Sequence, residues 1–343
     1  MEADAKREDS GAKLAKTDAN QADAGTAWEN PLISNQRLRQ IYLAMAQART
    51  LEKTLPAVKR GRATGLGTKT TGTFGLEACL VSAASDLGPG DLVSDALTGG
   101  AVELLRGTAL SEVLRPGKTA RSGRSGARVR DVALVCAAAG RLPGASGSAE
   151  RMWSALGAAA ALKAAAQARV EDRAEGGTAL QAGVVVVFVL AGELPAALWK
   201  KGLKFVVEQQ LPVIFVVLPA VQTQDSKTRR TRTRGVSALA QGCGVPALVV
   251  DADDAVAIYR VAQELIGHAR MGGGAALMEC VFFVLEGAAG KVRATEDAIA
   301  GLERTLVQRG IASRAWMERE AKAFAKRVAG YKSGSNGSAR SYT

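Results

Sequence analysis

Residues 184–190 read Val-Val-Val-Val-Phe-Val-Leu, and residues 211–218 read Leu-Pro-Val-Ile-Phe-Val-Val-Leu. Neither run alternates polar with apolar side chains, so neither suits a sheet with one wet face. Continuous runs of this kind belong to strands covered on both faces, in parallel sheets whose crossover helices lie above and below. Between them, residues 196–209 read as a helix, and residues 247–250 and 276–285 supply two further apolar runs. Asp253 offers a cap for a helix extending to about Arg270. Strand, helix, strand, helix, strand predicts an α/β fold: a mainly parallel, doubly wound sheet with flanking helices.

Upstream, Ser34 or Asn35 caps a helix whose residues Leu38, Ile41, Tyr42, Met45 and Leu55 recur at helical spacing. A Gly-rich loop over residues 61–75 precedes a short helix over 76–86, and Leu87-Gly88-Pro89-Gly90-Asp91 reads as a turn. Residues 115–130 are basic and Gly/Ser-rich, as in a loop, whereas 152–169 are Ala-dominated and favour a helix. Residues 1–30 form a polar tail of mixed charge with no apolar signal core, and 332–343 form a Ser/Gly-rich tail; both are expected to be disordered. One α/β domain over 31–331 remains.

Composition removes several functions. A single histidine, His268, rules out multi-histidine metal centres. The four cysteines, Cys79, Cys136, Cys243 and Cys280, show no CxxC spacing, which argues against zinc and disulfides and fits a reducing, cytoplasmic setting. No apolar run approaches the length needed to span a bilayer, about 18 residues or more. The net charge of +12 speaks to solubility and non-specific binding rather than to a particular partner. At the carboxyl ends of the strands, where parallel sheets bind ligands, no phosphate-cradling glycine pattern occurs.

The order of landmarks resembles the alpha subunit of the thiamin-diphosphate-dependent 2-oxo acid dehydrogenases, the pyruvate and branched-chain decarboxylating component. The resemblance rests on Arg49 and Glu52 in the first helix, Gly75-Leu76-Glu77-Ala78, the turn 87–91, Leu203-Lys204-Phe205, and the strand over 211–216. Tyr259-Arg260-Val261, Glu279 and Leu306-Val307-Gln308-Arg309-Gly310 continue it. It implies a thiamin-diphosphate-binding-like fold and oligomeric assembly, with a beta-like dehydrogenase subunit or a second copy as the partner.

The positions that carry the family's chemistry differ. The family's Gly-Asp-Gly, which lets a backbone approach a diphosphate and supplies an oxygen to magnesium, is matched by Leu190, Ala191 and Gly192. Pro219-Ala220 stand in place of consecutive asparagines, Ala96, Leu97, Thr98 and Gly99 in place of Tyr-Arg-Asp-His, and Trp153-Ser154 in place of Pro-His. The stretch 285–290, including Ala288, lacks the family's loop histidine. Candidate cofactor contacts therefore reduce to the retained Gly192 and to Glu193 beside it, with no catalytic residue and no metal site expected. Thiamin diphosphate and magnesium are implied only if the family activity is retained.

The densest charge run, residues 227–234, offers Arg229, Arg230, Arg232 and Arg234 as an anion-binding loop. No aromatic residue interleaves with these arginines, which disfavours a base-stacking platform, and nucleic acid is not the expected partner. The leading expectation is a non-catalytic structural or regulatory dehydrogenase subunit, a pseudoenzyme. Two alternatives stand beside it: an active, decarboxylating dehydrogenase component with atypical cofactor contacts, and a polyanion-binding protein using its basic loops.

Overall fold

The computed structural model describes residues 32–54, 75–94, 100–114, 140–142, 148–171, 183–219, 235–283 and 297–337. The expected tail 1–30, most of the glycine-rich loop, the basic stretches 115–130 and 227–234, and the segments 96–99 and 285–290 lie outside the described residues.

Among the described residues, five strands, β1 (Leu92–Ser94), β2 (Val185–Leu190), β3 (Val213–Leu218), β4 (Ala247–Asp251) and β5 (Ala276–Val281), form one sheet. All neighbours are parallel, in the order β1-β2-β3-β5-β4. Val185 lies opposite Val213 and Leu190 opposite Leu218. The chain returns to place β5 between β3 and β4, setting Val216 beside Met278 and Cys280 beside Val250. This leaves β4 at an edge, with Leu248 and Val249 partly exposed.

The helices, in chain order, are α1 (Asn35–Thr54), α2 (Glu77–Ala84), α3 (Ala101–Leu105), α4 (Leu110–Leu114), α5 (Ser148–Glu171), α6 (Ala196–Glu208), α7 (Val236–Gly242), α8 (Ala255–His268), α9 (Ala298–Gln308) and α10 (Arg314–Gly337). The strict period of two along β2 and β3 assigns their side chains to two cores. Val186, Phe188, Ile214, Val216 and Leu218 pack with α1, α2, α8 and α9 on one face. Val185, Val187, Val189, Val213, Phe215 and Val217 pack with α5, α6 and α7 on the other. A satellite cluster of Leu51, Leu114, Phe324 and Val328 ties α10 to α1 and α4.

Several boundaries differ from expectation. The cap of α8 is Asp254, one residue beyond Asp253: its carboxylate accepts from the Val256 and Ala257 amides at 3.0 and 2.9 Å. Asp253 instead donates its amide to Asp251, which bends the chain out of β4. The α-helix ends at His268 and continues as a π turn, Ala269–Gly273, which lets Arg270 pair with Asp91. β5 stops at Val281, leaving Phe283 half exposed. α10 runs on through residues 332–337; adding one hydrogen bond per residue to an existing helix costs little. Short β1 follows the turn 87–91, where buried Asp91 accepts from the Gly88 amide at 2.6 Å and the Val184 amide at 2.9 Å. Among the described residues no helix is long and apolar enough to cross a membrane.

Candidate functional site

After β2 and β3 the chain passes to α6 and α7 on one face, and after β4 it passes to α8 on the other. The reversal between β3 and β5 opens a crevice at the carboxyl ends of the strands, where a parallel sheet takes ligands. A cavity of about 280 Å³ occupies that end. Ala191, Gly192 and Leu194 from the β2 loop, with Ala196 and Trp199 of α6, form one wall. Gly235, Val236 and Leu239, leading into α7, face them, and Glu279 of β5 closes the inner end. Trp199 is held by an edge contact with Phe215, 5.6 Å between ring centres.

The β2 loop is a closed turn. Gly192 takes φ +81°, a left-handed value suited to glycine. The Ala191 amide donates to the Leu218 carbonyl at 2.7 Å, and the Glu193 amide returns to Leu190 at 3.0 Å. Gly192 thus borders the cavity. Glu193 is turned elsewhere: its carboxylate accepts from the Leu190 amide at 3.2 Å and pairs with Arg151 of α5 at 2.6 Å. Arg151 is buried at this contact, so the pair holds α5 against the β2 turn.

Glu279 is the polar residue whose role the sequence hides. It is 2% exposed and sits within an apolar strand. Its two oxygens accept from the Val236 and Ser237 amides at 3.1 and 2.9 Å, the first amides of α7. The helix N-terminus supplies positive potential to the carboxylate, and the carboxylate satisfies amides that have no partner within the helix. Gly235 makes this possible, because a Cβ there would fall 2.6 Å from both Glu279 Oε2 and Ser237 Oγ. The signal was a lone carboxylate inside an apolar run, since a buried charge in a strand requires a partner.

These residues do not fit a diphosphate held through magnesium. Ala191 and buried Pro219 at the ends of β2 and β3 carry no side-chain oxygen, while Glu193 is committed to Arg151. Among the described residues, no basic side chain lines the cavity and no three His, Cys, Asp or Glu side chains converge on a metal position. Trp153 and Ser154 lie on α5, with the Trp153 ring 6.2 Å from that of Phe205. His268 ends α8, the helix entering β5 from its amino end, and packs against Gly273 at the opposite end of the sheet from the cavity. Arg229, Arg230, Arg232 and Arg234 fall outside the described residues, and the chain re-emerges at the cavity wall with Gly235.

A second polar cluster stands at the ends of three segments. The Arg49 guanidinium grips Glu77 with two bonds of 2.9 Å and reaches Asp297 at 2.7 Å. Glu77 also accepts from the Gly75 amide at 2.9 Å, and Asp297 caps α9 through the Ala300 amide at 3.3 Å. Burial favours the neutral Asp297 carboxyl, but Arg49 and the Ala300 and Ile299 amides outweigh it and hold its pKa below the usual range. The cluster joins α1, α2 and α9. Elsewhere, Cys79, Cys243 and Cys280 are free thiols.

The alpha subunit of acetoin:2,6-dichlorophenolindophenol oxidoreductase from Cupriavidus necator is 32% identical over 118 residues, which make up 30% of this chain and 35% of that protein. The chain therefore spans about a third of that relative's length in the match. A family model described as Dehydrogenase E1 component matches residues 42–333, from within α1 to within α10. With the parallel sheet and both helical layers inside that match, the chain belongs to the dehydrogenase E1 component family.

Proposed function

We propose that this chain is an alpha-subunit-like E1 component that keeps the family's scaffold and not its cofactor chemistry, serving as a structural or regulatory subunit. The supporting observation is the crevice at the carboxyl ends of the strands. Its β2 and β3 termini present Ala191, Gly192 and Pro219, where an octahedral magnesium needs oxygens. The lone histidine, the usual side chain for proton transfer near neutral pH, sits at the far end of the sheet. The relative from Cupriavidus necator is a subunit alpha by name, and we carry that assembly to this chain. Its partner is then a beta-like dehydrogenase subunit or a second copy.

Thermal-shift titration with thiamin diphosphate and magnesium tests the reading: no saturable rise in Tm is expected. Saturable stabilisation at micromolar cofactor overturns it. Decarboxylation of a 2-oxo acid, assayed together with the cognate beta subunit, is expected to stay at the buffer blank. Turnover would establish the active alternative.

A further inference from the structure

We infer that the cavity between β2, β5, α6 and α7 is a binding site for a small, mainly apolar molecule bearing one O–H or N–H donor directed at Glu279. The inference goes beyond the non-catalytic reading and concerns what this crevice accepts in place of a diphosphate. Its volume, about 280 Å³, lies near the lower end of ligand-site volumes, which suits a molecule of one substituted ring. Its walls are Leu194, Trp199, Val236 and Leu239, with Ala191 and Ala196 widening the entrance.

Charge decides the ligand class. Among the described residues the lining contains no cation, and its walls are apolar apart from Glu279. The one ionisable group of that lining among the described residues, Glu279, is buried, and the α7 amides stabilise its charge without cancelling it, so it favours a ligand that brings a donor. Each carboxylate oxygen carries two lone-pair sites, and each described bond to an α7 amide uses one. The remaining acceptor capacity borders the cavity. A donor placed there gains a charge-assisted hydrogen bond away from bulk water, while the rest of the ligand gains by leaving water for an apolar wall.

Trp199 and the turn at Gly192 give the site a fixed shape. The indole is 2% exposed and braced against Phe215, and the Gly192 turn is closed by the Glu193–Arg151 pair. The walls are therefore formed by elements that hold their places without a ligand, which limits the ordering cost of binding.

The matched probes p-cresol and toluene differ by the donor, and the full chain can be titrated with each by thermal shift and by ligand-observed NMR saturation transfer. We expect saturable binding of p-cresol, about tenfold tighter than toluene, the difference one charge-assisted hydrogen bond supplies. Ala191→Leu and Ala196→Phe fill the entrance from partly or fully exposed positions, so both variants should fold, as read by circular dichroism. Each should abolish p-cresol binding. Absence of saturable p-cresol binding, or binding unchanged in both folded variants, overturns the assignment and leaves the non-catalytic reading standing. Equal affinity for the two probes overturns the role of Glu279. Displacement of p-cresol by thiamin diphosphate with magnesium overturns both the assignment and that reading.

Discussion

Gly235 and Gly202 both need room, for different reasons and at different cost. At Gly235 the backbone, φ −57°, suits any residue, so only space demands glycine. The atoms in the way, Glu279 Oε2 and Ser237 Oγ, are 2.6 Å from the point an alanine Cβ would occupy, and the carboxylate is pinned by two amides. At Gly202 of α6 the neighbours are the Sδ and Cε atoms of Met152 at 3.0 Å, the end of a flexible side chain. Gly235→Ala should therefore destabilise the fold by about 1–3 kcal/mol, as for an overpacked site. Gly202→Ala should stay below about 1 kcal/mol, helped by the better helix propensity of alanine. Urea-denaturation midpoints compare them, and equal losses would mean that the Glu279 cap is free to move. Gly192 was legible in the sequence because its neighbours lie in one strand-end motif. Glu279 was not, because its partners lie 42 and 43 residues away and meet only when α7 docks on β5.

Between elements, the Arg49–Glu77–Asp297 cluster does what no helix propensity can: it sets the ends of α1, α2 and α9 against one another. Arg49→Met leaves Glu77 buried with its charge uncompensated apart from the Gly75 amide. Breaking a buried pair in this way costs about 3 kcal/mol or more. The Asp297 arm is more exposed and weaker, but it titrates. Its carboxyl is held below the ordinary value of 3.8, so its contribution is present above that value and lost as pH falls through the folded value. Wild-type protein should exceed Asp297→Asn in stability near neutrality, and the gap should close below the ordinary carboxyl range. Thermal unfolding of both proteins across acid pH tests this, and a gap independent of pH would place the effect in α9 capping alone. Strands β2 and β3 could be read directly, since every residue faces a covered surface and the apolar run is unbroken. β1 could not, because three residues carry no periodicity, and its place depends on Asp91 bonding Val184 from the far side of the sequence. The α8 cap moved by one residue because Asp253 and Asp254 are equally suitable in composition, and only the bend after β4 selects between them.

For the whole molecule, two cores lie back to back on a single parallel sheet, and the packed residues of β2 and β3 alternate between them. Ala191, Gly192 and Pro219 follow the last residues of β2 and β3, and Ala191 still packs against the second core. Fold and site share Leu194, Trp199, Val236 and Leu239, which pack in the second core and line the cavity, yet the fold can be read from the chain in finer detail than the site. The strand order has a further consequence, in the timing of synthesis. β4 emerges from the ribosome before β5, yet among the described residues its one sheet neighbour is β5. Until residues 276–281 have been made, β4 has no hydrogen-bonding partner among the described strands, and the edge of β3 stands open where β5 will enter. A chain ending at residue 275 should show unprotected amides over 247–251 in hydrogen exchange while those of β2 and β3 remain slow. Uniform protection across all three strands would refute this order. The fifth strand is the keystone: the half-built protein carries an exposed apolar ribbon, and completing the sheet is the moment at which that ribbon is withdrawn from association with other nascent chains.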